Sequence, residues 1–262
     1  IFLISIILIY LALLSFIYVS QRNLLYHPNE NNYLESQIKF DYKEIFIPVN
    51  QDIELKSWLI NKDLQKKKTL ILFHGNAGNL NNRIYKINEL NKLDINILLV
   101  SWRGFSGNRG KPTEKGLYED GKAAIKWIKD QGVDQKNIIL YGESLGTGVA
   151  TQMSLDFDVS ALILESPYTS MVDAARLYYP YLPVSLLLKD RYENSKKIEK
   201  INIPVMIMHG QKDNIVPVEM GYTLFKLIKG EKYSYFPEND DHMMEYNAEL
   251  IENIKNFIYK LR

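Results

Sequence analysis

Ser144 stands in the stretch NIILYGESLGTGVA, between Gly142 and Gly146 and directly after an apolar run. A serine hydroxyl is a weak nucleophile at its free pKa. It needs a base at hydrogen-bond distance, a group that orients the base, and donors where an oxyanion forms. The pattern G-x-S-x-G suits such a residue. Small neighbours allow a sharp strand-to-helix corner, and the following helix turns backbone N–H groups toward developing negative charge. The plainer reading is a strand that ends in a flexible turn, so the partners decide. They should follow in the order Ser, acid, His. Downstream of Ser144 lie His209 and His242. His242 sits in PENDDHMME, a loop between the short run KYSYF and the last helical pattern. His209 closes an apolar run ahead of the acid, the place of a structural imidazole. The acid candidates are Asp213, Glu165, Asp240 and Asp241. Asp213, in the loop HGQKDNIVP, ranks first and Glu165 is the reserve. Asp240 and Asp241 adjoin His242 in sequence, so their side chains diverge from it or cap a helix. The oxyanion donors should be the N–H of Leu145 and one from the loop after LILFHG, where Asn76 follows His74-Gly75.

These residues need a frame, and the chain supplies a rhythm. The runs TLILFHG, INILLVSWRG, NIILYGES, VSALILES and IPVMIMHG are short, apolar and closed by chemically interesting residues. Such runs suit strands buried on both faces. Helical patterns lie between them, as in GLYEDGKAAIKWIKDQG, where Leu117, Ala124, Ile125 and Ile128 share a face. Strands alternating with helices predict a mostly parallel sheet covered on both sides, with the site beyond the strands' carboxyl ends. Ahead of them, YKEIFIPV and IELKSWLI, split by NQD, predict an antiparallel hairpin at one edge. The Tyr- and Leu-rich segment 168–200, broken by Pro180 and Pro183, predicts a small cap.

The chain has 262 residues, is 46 % hydrophobic, and carries 32 basic against 31 acidic residues. That balance gives no reason to expect a nucleic-acid partner. With no cysteine, disulfides, thiolate catalysis and Cys-ligated metal are excluded. The first twenty residues, IFLISIILIYLALLSFIYVS, carry no charge and suffice to cross a hydrocarbon core of about 30 Å. A basic leader and a small-residue cleavage site are not visible, so a retained anchor is favoured over a signal peptide. Arg22, Lys39 and Lys43 after the span lean the remainder toward the cytoplasm. The expected divisions are a transmembrane anchor at 1–20, a juxtamembrane connector at 21–43, and a catalytic domain at 44–262.

The ordered set HGNAGN, WRGFSGNRGKPTEKGLYEDGKAA, YGESLGTGVA, ESPYTS and HGQKDNIVP resembles the α/β-hydrolase superfamily, specifically the Bem46-like group of membrane-anchored serine hydrolases. The anchor followed by QRNLLYHP is similar to that group too, so the likeness spans essentially the whole chain. Ser101-Trp102 and Asn108-Arg109 depart from the group's usual pattern in a loop beside the pocket. The resemblance implies a Ser144–Asp213–His242 triad, an oxyanion hole from Asn76 and Leu145, and neither metal nor organic cofactor. It also implies esters or thioesters, long acyl chains among them, as substrates.

The expected activity is therefore a membrane-anchored ester or thioester hydrolase acting on a small-molecule or lipid acyl substrate. A serine peptidase would use the same triad, and a scaffold without catalysis would use the same fold. Tyr168, Tyr178, Tyr179, Tyr181 and Leu186–Leu188 suggest an apolar acyl pocket, or equally the packing of the cap. Lys66, Lys67 and Lys68 could meet anionic headgroups or form a solvated loop. Arg103 and Glu165 could bind substrate charge or pair with each other.

Overall fold

The long apolar run at the start of the chain is one helix. In the computed structural model, which describes residues 2–29 and 37–261, α1 covers Phe2–Leu25. Among the described residues it alone is long and apolar enough to cross a membrane, with a mean hydropathy of 2.7. It runs five residues past the expected span at 1–20, into what was expected to be connector. Residues 30–36 of that connector lie outside the described residues.

The strands follow the rhythm of the sequence. They are β1 (His27–Pro28), β2 (Lys43–Pro48), β3 (Glu54–Ile60), β4 (Thr69–Phe73), β5 (Ala77–Gly78), β6 (Asn96–Val100), β7 (Ile138–Glu143), β8 (Ala161–Glu165), β9 (Val205–Met208) and β10 (Lys232–Tyr235). The helices are α2 (Ile84–Leu90), α3 (Glu114–Asp130), α4 (Leu145–Asp156), α5 (Met171–Tyr178), α6 (Val184–Leu187), α7 (Asn194–Ile198), α8 (Val218–Leu227) and α9 (Ala248–Lys260). Eight strands form one sheet in the order β10-β9-β8-β7-β4-β6-β3-β2. The six from β4 to β10 in this sheet are parallel, and the β2–β3 hairpin adds antiparallel strands at one edge, as expected.

The apolar runs are unbroken because both faces of the sheet are covered. Along β4, Ile71 and Phe73 face one core while Leu70 and Leu72 face the other. The first core is closed by α3, α4 and α8 through Ile125, Val149 and Leu224. The second is closed by α2 and α9 through Ile87 and Ile254. The strand order reverses at β4 and β7: β6 lies on one side of β4, β7 on the other. That crevice, at the strands' carboxyl ends, is where α/β sheets bind ligands. Helices α5, α6 and α7 arise between β8 and β9 and form the cap.

A second, two-stranded sheet has a positional role. β1 pairs in parallel with β5, joining the segment after α1 to the loop after β4. The Asn76 carboxamide also donates to the Leu25 carbonyl (2.8 Å), and the His27 amide donates to the Asn76 carbonyl (2.8 Å).

Candidate active site

Ser144 follows β7 directly and precedes α4, at φ 49° and ψ −114°. The left-handed φ therefore falls on the serine itself, and neither flanking glycine has a positive φ. The glycines serve close approach instead. A Cβ on Gly146 would lie 1.9 Å from the Phe73 carbonyl oxygen, and one on Gly142 would lie 2.6 Å from Thr147 Cα. The strained serine costs about 1–3 kcal/mol and must be held by its surroundings. Its amide donates to the Glu165 carbonyl (2.9 Å), and its carbonyl accepts from the Thr147 amide (2.9 Å) and hydroxyl (2.6 Å).

Three loops at the carboxyl ends of β7, β9 and β10 bring the expected side chains together. His242 Nε2 lies 3.0 Å from Ser144 Oγ, and His242 Nδ1 lies 2.7 Å from Asp213 Oδ2. With the proton on Nδ1, Nε2 is free to accept from the serine hydroxyl. The Asp213 side chain is fully buried. Its Oδ1 accepts from the amides of Ile215 and Val216, both at 2.8 Å. Its Oδ2 also accepts from His209 Nε2 (3.0 Å). Burial alone would raise this carboxyl, but the hydrogen bonds from His209 and His242 hold it well below the usual carboxylate range.

Asn76 and Leu145 line the same cavity as Ser144. The carbonyl of Asn76 accepts from His27 and its carboxamide N–H donates to Leu25, which holds the residue at the cavity wall. Leu145 is the first residue of α4, whose amino end favours negative charge. The cavity, about 300 Å³, runs from Ser144 between the cap and α1. Its apolar walls include Tyr178, Leu182 and Leu187 from the cap and Ile17, Leu24 and Leu25 from α1.

The family model for the alpha/beta hydrolase fold matches residues 68–195. Protein bem46 of Schizosaccharomyces pombe is 29 % identical over 87 % of this chain and 82 % of its own length. The chain belongs to the α/β-hydrolase superfamily, in its Bem46-like group. A second relative of this Bem46-like hydrolase is the lysophosphatidylserine lipase ABHD12 of Danio rerio, 30 % identical over 74 % of this chain and 58 % of that protein. In three dimensions the hydrolase is similar to the Pyrococcus furiosus esterase Pf2001, with TM-score 0.72, 21 % identity, and coverage of 90 % and 98 % of the two chains.

Other expected residues of this Bem46-like hydrolase lie elsewhere. Asp240 and Asp241 accept from turn amides, those of Glu245 and Met243 (both 2.9 Å), and Asn247 caps α9 instead. Glu165 and Arg103 neither pair with each other nor line the cavity. Arg103 is bound to Asp120 (2.7 Å) and Glu119 (3.1 Å). Glu165 is buried against Lys86 (2.7 Å). The lysines at 66–68 precede β4, at the end of the sheet opposite Ser144, where Lys67 pairs with Asp94 (2.5 Å).

Three features of the site escaped the sequence reading. His209 is a donor to the Asp213 carboxylate as well as to the Val216 carbonyl (2.8 Å), rather than a bystander. Ser166 Oγ donates to the His242 carbonyl (2.9 Å) and so fixes that loop. Beneath the elbow, Glu143 is bound by Arg83 Nη2 (2.5 Å) and Lys86 Nζ (2.6 Å), while Tyr246 and Tyr141 donate to Glu165 (2.8 and 2.5 Å). Glu143 Oε1 also accepts from the Gly75 amide (3.2 Å), tying the elbow to the loop that carries Asn76. Burial opposes ionisation of Glu143, yet Arg83 and Lys86 hold its carboxyl well below the usual range. No periodicity marks a buried, paired lysine such as Lys86.

Proposed function

We propose that this chain is a membrane-anchored serine hydrolase that cleaves carboxylic ester or thioester bonds. The observation that carries the reading is the unbroken hydrogen-bonded line from Ser144 Oγ through His242 to Asp213. In this reading His242 Nε2 takes the hydroxyl proton as Ser144 Oγ attacks the acyl carbon. The backbone N–H groups of Asn76 and Leu145 receive the oxyanion. His242 then returns the proton to the leaving alcohol or thiol, which departs and leaves an acyl-serine. Water, deprotonated by the same imidazole, releases the acid and restores the hydroxyl. Asp213 keeps the imidazole oriented and stabilises it when charged.

The apolar walls of the cavity favour an acyl chain over a polar substrate. The name of the Danio rerio relative, a lysophosphatidylserine lipase, agrees with an ester of that kind. Helix α1 is the anchor, residues 44–262 the catalytic unit, and 168–200 its cap. Labelling by a fluorophosphonate probe tests the assignment. Wild-type protein should label covalently, and Ser144→Ala should not, with ester turnover falling about a thousandfold or more. Folded wild-type protein that resists the probe would move the non-catalytic scaffold reading to the front.

A further inference from the structure

Residues 177–188, LYYPYLPVSLLL, contain no charged side chain. They form the tip of the cap, and much of their apolar surface faces outward. Tyr181 is 90 % exposed and Leu186 is 83 % exposed. A soluble protein seldom leaves so dense an apolar ridge in water.

The ridge is in register with α1. Near the helix's carboxyl end, Arg22 is bound bidentately by Asp190 at 2.9 and 3.1 Å. One turn earlier, the Lys189 ammonium sits 3.9 Å over the Tyr18 ring. Further up, Tyr10 OH donates to the Tyr181 carbonyl (3.1 Å). Tyr10 precedes Arg22 by twelve residues, about 18 Å of helix rise. Charges thus cluster between the levels of Tyr18 and Arg22, as at a headgroup boundary, and beyond them neither the helix nor residues 177–188 of the cap carry a charge. The cavity that reaches Ser144 lies between these two walls.

We infer that the cap tip is embedded in the same lipid leaflet as α1, and that an acyl chain reaches Ser144 from within the bilayer between them. The occupant of the ridge is the hydrocarbon of the leaflet. The inference rests on the membrane reading of α1 made above. The cap dips to the depth of Tyr10, well inside a hydrocarbon core about 30 Å thick. Tyrosines and leucines without charge are the side chains such a boundary selects.

The absence of cysteine makes the test direct. Single variants Tyr181→Cys, Leu13→Cys and Asp130→Cys carry an environment-sensitive fluorophore in phosphatidylcholine vesicles with doxyl-labelled acyl chains. Asp130 ends α3, at the far end of the sheet. Labels at 181 and 13 should be quenched and the label at 130 should not. Quenching at 13 but not at 181 overturns the inference and leaves the anchor standing. Quenching at neither overturns both. In a second arm, Tyr181→Asp with Leu186→Asp should lower turnover of a vesicle-borne long-chain ester at least about tenfold while a water-soluble short ester stays within about twofold. Both residues lie outside the cavity lining. Equal changes on the two substrates, or none, overturn the access route. A wild-type protein inert toward every ester would instead defeat the hydrolase reading, and the quenching arm would still decide the inference.

Discussion

Glu143→Gln tests whether charge balance holds the elbow in place. Four side chains share the buried site: Arg83, Lys86, Glu143 and Glu165, each no more than 6 % exposed. Two cations match two carboxylates. The substitution leaves Lys86 paired with Glu165 and takes from Arg83 the one carboxylate bound to it among the described residues, so one positive charge loses its counter-ion. At an effective dielectric near 20, a pair of charges about 4 Å apart interacts by about 4 kcal/mol. Glu143 faces two such partners, but the cost of desolvating all the groups offsets much of that attraction. Removing one member of a buried ionic group costs about 3–5 kcal/mol overall. At about 2–4 °C per kcal/mol for a domain of this size, the unfolding midpoint should fall by about 6–20 °C. Circular dichroism of the full chain in micelles, at more than one scan rate, reads the change. Adding Arg83→Met removes the orphaned cation, so the double variant should recover at least about 1.5 kcal/mol relative to additivity. A midpoint that moves by less than about 3 °C, or a strictly additive double variant, would falsify the charge-balance account.

Two further outcomes follow from the acid loop. His209→Phe removes one of the two donors to Asp213 Oδ2 and should lower kcat about tenfold with KM within about twofold, a loss of about 1.4 kcal/mol in the chemical step. His209→Gln, which keeps a donor, should recover part of it, and a change confined to KM would contradict the positioning role. The depressed Asp213 carboxyl contributes stability that is complete above its unfolded value near ~3.9 and fades as pH falls through the folded one. The midpoint gap between wild type and Asp213→Asn should therefore be wide near neutrality and begin to narrow below about pH 4. A gap unchanged at pH 3 would trace to packing rather than ionisation.

The strands were legible because both faces of the sheet are covered, which makes each run apolar end to end. Ser144 and Asp213 were legible because each closes or follows such a run, whereas His242, after the half-exposed edge strand β10, was legible from the order Ser, acid, His. The buried charges were not. Lys86 occupies a helix where its spacing fits a solvated face as well as a paired one, and its partners Glu143 and Glu165 lie 57 and 79 residues away. The pairing of Arg103 was hidden for the same reason, since Asp120 meets it only when α3 packs back on the sheet. The glycines around Ser144 were read as turn residues, whereas their lack of a Cβ matters for contact and the serine carries the strain. Helix α1 is apolar all round, and composition does not tell which face of such a helix meets protein.

The stitching of Leu25 and His27 to Asn76 gives the first helix two duties. On the membrane-anchored reading proposed above, the 24 residues of α1 set an address, and they also supply a wall of the cavity and hold the loop that carries Asn76. Shedding is the common way to turn an anchored protein into a diffusible one. Here, removing the helix would open the cavity and release the Asn76 loop in the same cut. On the proposed reading, solubilisation and inactivation become one event, and a proteolytic nick near the membrane would act as an off-switch rather than as a means of dispersal.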